Sequence, residues 1–226
     1  MKKNTQILLG IVLTIVAFII SIYSGNHFHL KNSFIPYTFM THVVMLITSI
    51  ALIYSFKNYL GFKLEFPKLK NSWKPFLYGL LAALISGIIT NILTMIFTGS
   101  PMSHPAMSKM NPLQIFIFVF LLASFTEELL FRGFLQNMLH PLKSIGFKIF
   151  NRFISLPVIL SGLIFGLGHL VLLYKQMGLG IFIFTTLLGL IAGYYQEKHN
   201  NTSYAILVHM GANLVGLIVA SVMYYS

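Results

Sequence analysis

Apolar residues run along this chain in blocks of roughly 20, the length a helix needs to cross the hydrocarbon core of a bilayer. Blocks at Ile7–Tyr23, Ile35–Phe56, Phe76–Thr98, Leu113–Asn137, Leu156–Tyr174, Leu179–Tyr195 and Tyr204–Tyr225 are separated by short polar stretches. They predict an all-α, polytopic integral membrane bundle of about seven transmembrane helices. The first block follows Met1-Lys2-Lys3 and imitates a secretory leader. It is long for one, and no small-residue cleavage site follows, so it is read as a helix. Between Pro141 and Phe153 basic and aromatic residues mix, which predicts a short interfacial segment on the inner leaflet, with a plain loop as the alternative. Ser155 and Pro157 then have the character of a cap and a first-turn proline, so a helix starts there. The blocks form a single membrane domain, with three helices in residues 1–112 and the remainder in 113–226.

Composition narrows the function classes. Of the 226 residues 57% are hydrophobic and only 8% charged, against about 25% charged in an ordinary soluble domain. A cytosolic globule, a disordered tail and a nucleic-acid module are thereby excluded. The absence of cysteine removes disulfides, thiolate metal sites and cysteine nucleophiles. The net charge of +11 is distributed by the positive-inside rule. With the N-terminus cytoplasmic, only Lys31, Lys109 and Lys175 fall outside, and about seven spans then leave the C-terminus outside.

The sequence holds four acidic residues. Glu65 and Glu197 fall at predicted inner loops, but Glu127 and Glu128 sit inside the fourth block, in Ser124-Phe-Thr-Glu-Glu-Leu-Leu-Phe-Arg132. A charge at that depth costs about 2.5–3.5 kcal/mol even on insertion scales. Glu128 and Arg132 are spaced for a pair on one helical face, which accounts for both. Glu127 points about 100° away and has no basic neighbour on its own helix. Its partners must come from other helices.

Intramembrane histidines supply them. His169 ends Phe165-Gly-Leu-Gly-His169, and His209 and Asn213 share a face of the last block. At 1.5 Å per residue, Glu127 lies about 15 Å from the inner end of its helix, His169 about 18–20 Å, Asn213 about 15 Å and His209 about 9 Å. Polar groups from three helices therefore reach similar heights. Gly162 and Gly166, like Gly189 and Gly193, are spaced for close helix contact. Singly, each histidine or asparagine could be interhelical hydrogen-bond glue. Together they could hold a water for general-base attack on a carbonyl, with donors for the oxyanion. Glu127, His169 and His209 could also ligate a divalent metal such as zinc, although no His-Glu-x-x-His motif supports that. His27, His29, His104 and His199 are read as loop residues, and His42 as packing or hydrogen-bonding glue.

Glu127-Glu128-x-x-x-Arg132, Phe165-x-x-x-His169 and His209-x-x-x-Asn213 resemble, in order, the three motifs of the CPBP intramembrane proteases. That family includes the type II CAAX prenyl endopeptidases and the Abi proteins linked to bacteriocin immunity. The resemblance covers about Phe116 to Gly216 and makes 113–226 the catalytic core. It implies hydrolysis of peptide bonds in membrane-associated peptides or proteins by an activated water. Glu127 would be the base, His169 would orient the water, and His209 and Asn213 would stabilise the oxyanion. Glu128 and Arg132 would be supporting residues. It implies no certain cofactor, since the family is both labelled metallopeptidase and read as metal-independent. Two other readings stay open: a non-catalytic immunity or scaffold protein, and a proton-coupled transporter, since Glu and His also build proton relays. The sequence leaves substrate and oligomeric state unspecified.

Overall fold

The computed structural model describes residues 1–98 and 110–225, apart from the side chains of 93, 94, 97, 98, 173–178, 223 and 225. His104 and Lys109 lie outside the described residues. Helices α1 (Lys3–His27), α2 (Phe39–Ser55) and α3 (Leu69–Thr98) form the N-terminal half. Helix α4 (Pro112–Met138) follows. A short turn at His140–Leu142 leads into a β-hairpin, β1 (Gly146–Ile149) and β2 (Arg152–Ser155). The backbone of Leu156–His199 is helical and carries two apolar arms, α5 (Leu156–Leu172) and α6 (Leu179–His199). Helix α7 (Ser203–Tyr225) completes the chain. Five of these stretches are long and apolar enough to cross a membrane, while α2 and α5 are shorter apolar helices.

The predicted elements recur with shifted bounds, because backbone hydrogen bonding does not stop where hydropathy does. Helix α3 starts at Leu69 rather than Phe76, taking Pro75 into its second turn. The predicted cap is present: the Ser155 side chain accepts from Val158 N, with Pro157 in the first turn. The segment before it is a hairpin rather than an irregular stretch. Gly146 pairs with Ser155 and Ile149 with Arg152, and Phe150 and Asn151 make the turn with φ of 45° and 62°. Positive φ at both central positions matches the twist of the strands.

Polarity is inverted relative to a soluble core. Glu128, Arg132, Gln136 and many Ser and Thr are buried, while Leu, Ile and Val on α1 and α3 face outwards. That is the arrangement expected where lipid is the solvent. Close helix contact is bought with glycine. A Cβ at Gly79 would overlap Val208 O, and one at Gly211 would overlap Phe76 O, so α3 lies backbone to backbone along α7. Gly162 and Gly189 meet similarly, with 2.8 Å between a Cβ at Gly189 and Gly162 Cα. Positions so far apart in sequence touch because the chain doubles back between α5 and α6.

Candidate active site

Helix α4 is not uniformly α-helical. A single α turn, Ser124–Glu128, separates π-helical stretches at Ile115–Ala123 and Leu129–Leu135. π segments shift the facing of the residues they carry and are frequent at functional sites. Here they flank the two glutamates. The predicted pair is present: Arg132 Nη1 donates to Glu128 Oε1 at 3.0 Å, with both side chains fully buried. The Arg132 guanidinium also lies 4.7 Å from the centre of the Phe165 ring. A Cβ on Gly189 would come 2.8 Å from Arg132 Nη2, so the glycine on α6 makes room for the cation.

The tertiary fold gives Glu128 a second partner that helical spacing could not show. His209 Nδ1 lies 2.9 Å from the same Oε1. A carboxylate already engaged by arginine accepts only, so Nδ1 of His209 carries hydrogen. His169 Nδ1 sits 3.0 Å from Phe165 O, and a carbonyl likewise only accepts, so this ring has the same tautomer. Both Nε2 atoms are then directed at Glu127. Its Oε2 is 3.8 Å from His169 Nε2 and 3.9 Å from His209 Nε2. Phe165 is completely buried and packs edge-on against both imidazoles, at 4.5 Å and 5.9 Å between ring centres.

With neutral rings, three acceptor atoms from three helices converge on one point. Such a cluster suits a guest that brings protons or positive charge. Asn213, one turn beyond His209, donates its amide to Val119 O at 3.1 Å and to Ser124 Oγ at 3.0 Å. It thus joins α7 to the junction between the first π stretch and the glutamate turn. For a metal, the separations of 3.8 and 3.9 Å exceed the edge of about 3.4 Å in a tetrahedral site with arms of about 2.1 Å. Among the described residues no three His, Asp or Glu form a ligand group. The donor set is too widely spaced for a closed tetrahedral zinc site.

His42, read from the sequence as packing or hydrogen-bonding glue, makes an interhelical hydrogen bond at the edge of this site. His42 of α2 places Nδ1 3.2 Å from Thr126 Oγ1 and lies within electrostatic reach of Glu127, His169 and His209. Nothing local in the sequence marks it, because its neighbours are all on another helix. His27 and His29 bond only to nearby backbone carbonyls, and His199 stacks on Tyr204 at 4.0 Å.

Residues 109–215 match the family model described as Type II CAAX prenyl endopeptidase Rce1-like. The match spans all three motifs and so meets the resemblance read from the sequence. Over these residues the chain is similar to a family of endopeptidases. No curated protein and no solved structure matches the chain.

Proposed function

We propose that this protein is an intramembrane endopeptidase that cleaves membrane-associated peptides with a water activated by Glu127. The observation that carries the reading is the convergence of Glu127 Oε2 with His169 Nε2 and His209 Nε2 at 3.8 and 3.9 Å. One water oxygen with hydrogen bonds of about 2.8 Å to two such atoms subtends roughly a right angle, which bulk-like geometry tolerates.

Glu127 takes a proton from this water while His169 orients it, and the hydroxide forms a bond to the carbonyl carbon of the scissile peptide. The carbonyl oxygen becomes an oxyanion facing His209. Glu128 on Nδ1 fixes the orientation of the His209 ring, and a proton taken up on Nε2 from solvent as substrate binds lets that atom donate to the oxyanion and stays on the ring through the cycle. Collapse breaks the C–N bond, and the proton held by Glu127 passes to the leaving amine. The hydroxyl proton of the intermediate follows it, so the products are a carboxylate and an ammonium group, and Glu127 is regenerated. Asn213 acts by position, fixing α7 to α4 through Val119 and Ser124. No step needs a metal or cofactor.

The test is proteolysis of membrane-anchored reporter peptides by the purified protein in liposomes, with products identified by mass spectrometry. Glu127→Gln is isosteric and keeps the bundle intact, so it should insert normally and lose cleavage by about 10³-fold or more. Cleavage by this variant at the wild-type rate would overturn the reading.

A further inference from the structure

The protease-family match begins at residue 109, yet a helix from before it reaches the site. His42, Met45 and Ser49 occupy one stripe of α2, and Met45 and Ser49 are the buried residues of that helix. His42 therefore faces inwards, against the turn Ser124–Glu128. Thr126 is fully buried, and its hydroxyl lies 3.3 Å from Ala123 O. That carbonyl only accepts, so the hydroxyl hydrogen goes to it and a lone pair on Oγ1 is left for His42 Nδ1–H at 3.2 Å.

The turn needs such anchoring. With π-helical backbone on both sides, its rotation about the helix axis is less closely fixed by a continuous α ladder. Three side chains from other helices hold it: Asn213 and His209 of α7 bond Ser124 and Glu128, and His42 of α2 bonds Thr126. Glu127 is the next residue. Its carboxylate stands about 6 Å from the helix axis, so a turn of ~10° displaces it by about 1 Å. A misplacement of that size costs about 100-fold in rate.

We propose that His42 is a positioning residue of the hydrolytic site, fixing the aim of Glu127 through its hydrogen bond to Thr126. The N-terminal helices thereby complete the geometry of the family-matched half. This rests on the hydrolytic reading above.

Asparagine and glutamine separate the atoms involved. Asn Nδ2 overlays the Nδ1 position of histidine, whereas Gln places its amide near Nε2. Initial rates on the liposome reporter peptide would be measured for the wild type and for Glu127→Gln, His42→Asn, His42→Gln, His42→Phe, Thr126→Val and Thr126→Ser. His42→Phe, His42→Gln and Thr126→Val should lower kcat by about 10- to 100-fold with KM little changed. His42→Asn and Thr126→Ser should stay within about threefold of the wild type, and the His42→Phe/Thr126→Val double variant should be no worse than the worse single. Wild-type kcat in His42→Phe, additive losses in the double variant, or recovery by Gln instead of Asn would each overturn the inference. Thermal unfolding of the same set in detergent checks that losses are not loss of fold; a kcat loss that merely tracks unfolding overturns it too. Failure of the hydrolytic reading looks different: the wild type and Glu127→Gln would then behave alike.

Discussion

Glu128 and Arg132 are both fully buried, and neither charge is tolerable alone in an apolar interior. Removing one partner of such a pair costs about 3–5 kcal/mol, whereas replacing both with apolar side chains of similar size is often neutral. Glu128→Gln should therefore lower the thermal midpoint and the yield sharply. Glu128→Leu combined with Arg132→Met should restore much of both. Peptide cleavage should not return with stability, because His209 Nδ1 will have lost the carboxylate 2.9 Å away. Melting curves and reporter cleavage on the same preparations separate the two effects. An active double variant would show that His209 needs no anchor.

At the scale of elements, glycines decide how near α4, α5 and α6 can come. A Cβ at Gly189 would meet Gly162 Cα and Arg132 Nη2, each at 2.8 Å. One neighbour is backbone and the other is pinned by its ion pair, so neither yields cheaply. Gly189→Ala should cost about 1–3 kcal/mol and impair cleavage by pushing Arg132 off Glu128. Gly87 on α3 is the counterpart, since a Cβ there meets nothing within 4 Å. Gly87→Ala should leave cleavage unchanged and add about 0.5–1 kcal/mol of stability, because alanine loses less backbone freedom in a helix. Unfolding in detergent reads both shifts, and equal effects would contradict this account of the contact.

For the whole molecule, the distribution of basic residues predicts a topology that can be read directly, because the chain has no cysteine of its own. Phe150 at the hairpin tip is 94% exposed, and His29 lies in the exposed segment after α1. With a cytoplasmic N-terminus, a membrane-impermeant maleimide added to intact cells should label His29→Cys and leave Phe150→Cys untouched until the membrane is opened. The reverse pattern would invert the topology. The hairpin has the character of an interfacial anchor. The Arg152 guanidinium lies 5.9 Å from the Tyr78 ring centre and 5.8 Å from that of Tyr194; these two phenols raise it above its usual range, so it stays cationic at any physiological pH. Phe147 and Phe153 are exposed beside it, as an interfacial element requires.

The membrane class and the helices were legible in the sequence, because bilayer thickness and helical rise fix the length of an apolar block. The Glu128–Arg132 pair was legible too, since helical periodicity alone sets it. So was the idea that Glu127 needs partners from elsewhere, because an intramembrane carboxylate is costly. What one-dimensional spacing does not carry is which atoms face which. The hairpin depends on a turn with two left-handed residues, which the basic and aromatic composition of Pro141–Phe153 does not announce. The π-helical stretches around Ser124–Glu128, the sharing of one Glu128 oxygen between Arg132 and His209, the engagement of Asn213 with Val119 and Ser124, and the arrival of His42 from α2 all arise from packing between helices distant in sequence. Local hydrogen bonds and hydropathy decide where a helix forms; only the way helices close upon one another decides what a buried side chain touches.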